Sequence, residues 1–162
     1  MLVPFDNLEA NSRIWIYQSD RKLTDEEQNF IQKKTESFLV EWTAHGNSLQ
    51  AGMRILYDQF LIIGVNEAVN AASGCSIDKS VNYVTELSKA LNINLLQRSK
   101  IAVKKNAQIQ LIDFSEIKNA INEGLISKES EVFNNAIVTK LDLDSNWLLP
   151  AADSWLKRYF QD

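Results

Sequence analysis

The chain has 162 residues, 45% of them apolar and 23% charged, with a formal net charge of −4. That length fits one domain, residues 1–162, able to bury roughly 70% of its unfolded surface, so stability requires neither disulfide nor metal. One Cys excludes an intramolecular disulfide, one His with one Cys argues against a structural zinc site, and 5 Gly with 2 Pro are too few for a low-complexity chain.

The charge is uneven. Residues 1–91 carry 8 basic and 12 acidic groups and supply the whole net charge. Arg98, Lys100, Lys104 and Lys105 form the only basic concentration. It reads as a solvated strand and turn, where lysines discourage edge pairing, and nucleic acid is not expected as a partner. The longest apolar run, Phe60 to Val65, falls far short of the ~20 residues that span a bilayer. The opening MLVPFDNLEA lacks the basic flank and apolar stretch of a signal peptide. A soluble cytoplasmic protein without membrane contact, metal or cofactor is expected.

In chain order, Arg13 to Gln18 predicts a strand rich in Ile, Trp and Tyr. Thr24 with Glu27 predicts a capping box, and Phe30, Ile31, Phe38, Leu39 and Trp42 follow at helical spacing, with Gly46 expected to stop the helix. Leu49 to Tyr57 alternates as a half-buried strand, with a turn expected at Asp58-Gln59. Phe60 to Val65 predicts a strand buried on both faces. After the small polar segment from Asn66 to Ser76, Ile77, Val81, Val84, Leu87 and Leu91 predict a second amphipathic helix. Ile101 and Val103, then Ala107, Ile109 and Leu111, predict a hairpin turning at Lys105-Asn106. Ser115 is expected to cap a third helix ending at Gly124, Phe133 to Lys140 holds a short strand, and Pro150 opens a last helix.

The order β-α-β-β-α-β predicts an α+β fold, a ferredoxin-like (split βαβ) two-layer sandwich over residues 13–112. An extra strand and a helical C-terminal extension, residues 113–162, would complete it. That topology serves many functions and implies none alone.

Phosphate-binding motifs are absent. Glycines 46, 52, 64, 74 and 124 are too scattered for GxGxxG, and there is no GxxxxGK[ST], GxSxG or HExxH. The most informative stretch is Ser73-Gly74-Cys75-Ser76-Ile77-Asp78, which follows a buried strand and opens a helix. Amides at such a start favour an anion, and a thiol there gains thiolate character. The alternative is a plain capped helix in which Cys75 is a small, buried, inert residue. His45 is the one side chain titrating near neutrality. It serves either as base to a Cys75 nucleophile, with Asp78 or Glu41 as orienter, or as a charge favouring the end of the first helix. Trp15 and Trp42 fall on apolar faces and read as core. Asn134, Asn135, Lys140, Trp147, Asp153 and Trp155 form a second candidate surface, either a partner-binding rim or a tail docked by its aromatic residues. Leu141-Asp142-Leu143-Asp144 lacks the features of a calcium loop.

The segments WTAHG (Trp42 to Gly46), SGCSID (Ser73 to Asp78), VFNN (Val132 to Asn135) and DSWLKRY (Asp153 to Tyr159) resemble a family of short Bacteroidota-type bacterial proteins of unknown function. Members sometimes carry the label "ABC transporter ATPase", and the Walker loop which that activity requires is absent here. The resemblance spans nearly the whole chain and implies no activity for any residue. Three functions follow as expectations: a module binding a small anion or a protein partner, a homodimer included; a Cys75-dependent enzyme with His45 as base; or a structural protein.

Overall fold

Thr24 opens the first long helix as its sequence predicts. Its hydroxyl accepts from the Glu27 amide at 3.1 Å, and the Glu27 carboxylate accepts from the Thr24 amide at 2.9 Å. The computed structural model, which describes residues 1–161, places strand β1 (Arg13–Gln18) before this helix, α1 (Asp25–Glu41). A short ladder follows, β2 (Thr43–Ala44) with β3 (Asn47–Ser48), and then β4 (Ala51–Leu56), β5 (Phe60–Val65) and α2 (Gly74–Leu91). Among the described residues no helix is long and apolar enough to cross a membrane.

The chain forms two compact units, the first comprising Met1–Gln97 with Val138–Leu141 and the second Arg98–Ile137 with the residues from 142 onward. In the first, β1, β5 and β4 form an antiparallel sheet in that spatial order. Its core joins Ile31 and Leu39 of α1, Val84 and Leu87 of α2, and Leu61, Ile63 and Val65 of β5.

The other face is shaped by two glycines. Gly52 and Gly64 are cross-strand partners, so the sheet lacks side chains at that point. The 3-10 turn Phe5–Asn7 and its flanks fill the space. A Cβ on Gly52 would lie 2.7 Å from the Val3 carbonyl oxygen, and one on Gly64 2.8 Å from Leu8 Cδ1 and 3.1 Å from the Phe5 ring. Lys140 pins this turn: its ammonium donates to the Asp6 carbonyl at 2.7 Å and to that of Leu8.

Flanking segments close the sheet's edges. Beside β1, the Ile14 amide donates to Val138 O at 2.9 Å and the Lys140 amide to Ser12 O at 2.9 Å. Beside β4, the Val3 amide donates to Ala51 O at 2.9 Å and the Ala51 amide to Met1 O at 3.0 Å.

Further along the chain come β6 (Lys100–Lys105), β7 (Gln108–Asp113), a 3-10 turn at Phe114–Glu116, α3 (Ile117–Asn122), β8 (Glu131–Phe133), α4 (Lys140–Ser145) and β9 (Leu148–Pro150). The second unit's sheet has the order β7-β6-β8-β9, again antiparallel, and its core includes Ile101, Val103, Ile112, Ile117, Val132 and Leu156.

The fold is therefore α+β with antiparallel sheets, and it departs from expectation in several places. Strand β6 does not extend the first sheet beside β1, as the split βαβ order would have it, but lies inside a second sheet. The place beside β1 is taken by Val138–Lys140, while Ile101 and Val103 are buried with Ile112 and Val132. The lysines of β6 thus lie on an interior strand rather than an edge. The boundary expected between residues 112 and 113, where regular alternation gives way to short mixed pieces, falls inside the second unit, where β7 ends. The C-terminal extension contains strands β8 and β9 as well as helices. Pro150 ends β9, and the last segment, Trp155–Phe160, coils as 3-10 turns. Ser115 lies inside a 3-10 turn instead of capping α3.

Two predictions follow from this packing. Gly52→Ala drives a Cβ against backbone that cannot swing aside, so it should destabilise the fold by about 1–3 kcal/mol in urea titration. Gly64→Ala meets mainly the flexible end of Leu8 and should cost less. The second concerns acid. Arg21 donates to both Glu27 oxygens, at 2.9 and 2.7 Å, and holds that carboxyl down from 4.5 to about 2, helped by the Thr24 amide. The stabilisation is complete above the ordinary carboxyl value and is lost as pH falls through about 2. Because Arg21 is 44% exposed, solvent screens the pair and limits the effect to about 1 kcal/mol. Glu27→Gln should flatten the loss of stability between pH 4.5 and 2 when unfolding is followed by urea.

Candidate functional site

The loop leading into α2 is held by its own amides. Asn66 donates through its backbone to Gln50 O at 2.9 Å and through Nδ2 to Gln50 Oε1 at 2.8 Å. Asn70 Nδ2 donates to the Asn47 carbonyl at 3.1 Å, which ties the β2–β3 hairpin to this loop. Glu67 accepts from the Ala72 amide at 3.3 Å and pairs with Arg13 at 3.7 Å.

Ser73 then caps α2 reciprocally with Ser76. The Ser73 hydroxyl accepts from the Ser76 amide at 3.2 Å, and the Ser76 hydroxyl accepts from the Ser73 amide at 2.7 Å while donating to Ser73 O at 2.8 Å. The helix start therefore satisfies part of its own donor set internally. The Gly74 and Cys75 amides have no partner among the described residues. Apart from its own helix and its chain neighbours, nothing lies within 4 Å of where a Cβ on Gly74 would sit.

Cys75 is exposed, which overturns the reading of a small buried thiol, and Asp78 is exposed beside it. Ser76 is buried, and its carbonyl accepts the Trp42 indole N–H at 2.8 Å. Two segments singled out in the sequence, Trp42 to Gly46 and Ser73 to Asp78, thus meet through a tryptophan read only as core.

His45 does not sit at the end of α1. That helix stops at Glu41, and Trp42 takes an extended conformation that carries its indole into the core. His45 (φ 51°) and Gly46 (φ 80°) form the two-residue turn between β2 and β3. Positive φ at both positions is what a type I′ hairpin requires, and Gly46 supplies it without strain. The helix-dipole role is therefore lost. Among the described residues no hydrogen bond joins the exposed imidazole to the thiol, or either group to Asp78 or Glu41. No group of His, Cys, Asp and Glu among them could hold a metal ion.

The second candidate set separates into different roles. Lys140 belongs to the first unit, where it holds the Phe5 turn, and the other five belong to the second. Trp147 is buried: its indole N–H donates to Asn135 Oδ1 at 3.0 Å, its carbonyl accepts from the Asn134 amide at 2.6 Å, and its ring lies 4.8 Å from Phe133. Asn134 and Asn135 thereby shape the loop after β8. Asp153 is exposed in the 3-10 turn Ala151–Asp153.

Trp155 alone of the set presents a large apolar surface, at 40% exposure, and it has partners that sequence reasoning did not single out. Phe114, 46% exposed, meets it edge to face at 5.5 Å, and Tyr159 does so at 6.4 Å. The Arg158 guanidinium lies 5.7 Å from the Trp155 ring and 5.0 Å from that of Tyr159, and donates to the Tyr159 hydroxyl at 3.1 Å. Ser154 caps this turn by accepting the Leu156 amide at 3.1 Å, and Leu156 anchors it in the core. The one available signal was Phe114 itself, an aromatic residue directly after an alternating strand.

Comparison with protein-family models, with curated proteins and with solved structures returned no match.

The geometry around His45 and Cys75 makes a direct prediction. Cys75 should be alkylated by iodoacetamide in the folded protein, and His45→Ala should leave the rate unchanged, because the ring makes no hydrogen bond to the sulfur. A slower reaction in that variant would restore the thiol–imidazole pair as a working unit.

Proposed function

We propose that this chain is a protein-binding module whose contact surface is the aromatic corner formed by Phe114, Trp155, Tyr159 and Arg158. The observation that carries this reading is the edge-to-face pair of Phe114 and Trp155, both at least 40% exposed, on a turn anchored by a fully buried Leu156. Tryptophan, tyrosine and arginine are the residues most enriched among binding hot spots. Their fixed geometry keeps the entropic cost of docking low, because few rotamers remain to be frozen. The arginine lends the corner a positive charge for a partner carboxylate or carbonyl.

A small anion at the start of α2 is the second reading, favoured by the Gly74 and Cys75 amides, which have no partner among the described residues, and the open space over Gly74. Cytoplasmic residence belongs to the same proposal and is supported by one exposed, unpaired thiol. So does kinship with the short Bacteroidota proteins. So does a ferredoxin-like ancestry for the first unit, supported by its β1-α1-β4-β5-α2 order and β1-β5-β4 sheet.

The test places a photo-crosslinking amino acid at position 155 of the full chain in cells and, as control, at the exposed Val69. Adducts of defined mass at 155 that disappear on Phe114→Ala support the corner as a binding surface. Equal adduct patterns at 155 and 69, or none at 155, reject it. In a separate assay, titration with inorganic phosphate should move the Gly74 and Cys75 amide resonances if the anion reading holds. Unmoved resonances reject it.

A further inference from the structure

The two larger sheets treat their edges differently. Beside β1 and β4 other segments are already hydrogen-bonded, and β9 is a three-residue strand ending in Pro150. Short strands, proline and covering segments are recognised ways of blunting an edge. Strand β7 has none of them. It runs for six residues, Gln-Ile-Gln-Leu-Ile-Asp, with no proline and no charge before Asp113. It stands at the end of its sheet.

The ladder shows which groups face outward. The Phe114 amide donates to Ser99 O at 2.9 Å, next to the Lys100↔Asp113 pair. In antiparallel alternation, Ile112, Gln110 and Gln108 therefore exchange hydrogen bonds with β6, while Ile109, Leu111 and Asp113 turn their amides and carbonyls away from it. The outward groups of Ile109 and Leu111 have no partner among the described residues. The Asp113 carbonyl is used in opening the 3-10 turn at Phe114, since Asp113 is its N-cap residue.

We infer that β7 pairs antiparallel with β7 of a second copy of this chain, about a two-fold axis at Gln110. That register sets Ile109 against the partner copy's Leu111, so the outward amides and carbonyls of both residues are satisfied in both copies. Their side chains, half-buried in the single chain, cover one another. On the opposite face Gln110 meets its own copy, and Ile112 meets Gln108. No like charges stand opposite each other. A register centred on Leu111 instead sets Ile109 against the Asp113 carboxylate and requires the carbonyl that the 3-10 turn already uses. Self-complementarity of this kind is what a two-fold contact demands. The contact is one strand wide, so the association is weak and concentration-dependent. It rests on the strand edge and not on the aromatic corner, so either can fail alone.

The axis makes a specific test available. Gln110 faces its own copy in a non-hydrogen-bonded pair, where Cα atoms approach to about 4.5 Å, within disulfide range. In a Cys75→Ser background, Gln110→Cys should oxidise to a disulfide-linked species of twice the 18.5 kDa chain mass, while Gln108→Cys should not. Sedimentation of the unmodified full chain should show a mass rising with concentration toward the dimer, and Ile109→Lys should return it to monomer with unchanged circular dichroism. Equal crosslinking at 108 and 110, crosslinking at neither, or a monomer at every concentration overturns the inference.

Discussion

A tryptophan indole N–H buried without an acceptor costs several kcal/mol, and this requirement organises the first unit. Trp42 is 2% exposed, and its indole N–H donates to the carbonyl of Ser76 in the first turn of α2. To reach it, the chain leaves helical geometry after Glu41. That exit creates the β2–β3 hairpin and puts His45 and Gly46 at its tip. Ser76 in turn is fixed by its exchange with Ser73, so the indole reads the position of the whole helix start. Phe38 and Trp15 pack around the ring at 5.5 and 6.0 Å, and Tyr83 stacks on Phe38 at 4.4 Å. One donor's need for an acceptor thus joins the end of α1, the hairpin and the beginning of α2.

The Gly52–Gly64 pair plays the corresponding part on the opposite face. Adjacent strands without side chains leave a notch, and the segment around Phe5 occupies it. The cations above the Phe5 ring, Arg54 at 5.5 Å and Lys140 at 5.8 Å, also bind the turn itself, Arg54 through the Asp6 carboxylate and Lys140 through the Asp6 and Leu8 carbonyls. A residue far along the chain, Lys140, therefore seals a segment near its start. That tie is invisible to periodicity, and it explains why a lysine chosen as a binding candidate serves packing instead.

Local signals hold where local physics decides. The capping box at Thr24 and the strand at Arg13–Gln18 depend on residues within a few positions of one another, and each stands where the sequence puts it; of the two serines able to cap α2, Ser73 and Ser76, it is Ser73 that does so. Errors gather where distant groups overrule local preference. The turn expected at Asp58-Gln59 includes Tyr57 as well, with Tyr57 (φ 54°) and Asp58 (φ 52°) both in the left-handed region. Neither is glycine, and the strain is offset by bonds from elsewhere: the Leu23 amide to Asp58 O at 2.7 Å, Gln28 Nε2 to Asp58 Oδ1 at 3.0 Å, and the buried Gln59 amide group to Ser19 O at 3.0 Å. Strand β6 went astray for a like reason, since alternation reveals which face is apolar but not which core receives it. Of the candidate site, the capped turn with Cys75 was legible, but its exposure and the place of His45 depended on where Trp42 had to go.

The units differ in what they leave open. In the first, flanking segments hydrogen-bond to both outer strands, a turn fills the glycine notch, and the helices pack on the sheet; Phe30 and Tyr57 are exposed there singly. The second leaves main-chain groups of Ile109 and Leu111 without a partner among the described residues, and aromatic surface at Trp155 and at Phe114, directly past the end of β7. Bare strand edges and exposed aromatic pairs are both costly to retain on a protein that meets nothing, because each invites aggregation. Sequence changes that would remove them are small: Ile109, which a lysine could replace, is half-buried, and Phe114, which a polar residue could replace, is exposed. Two such features stand side by side in the second unit, and the contacts proposed for the aromatic corner and the strand edge would use both.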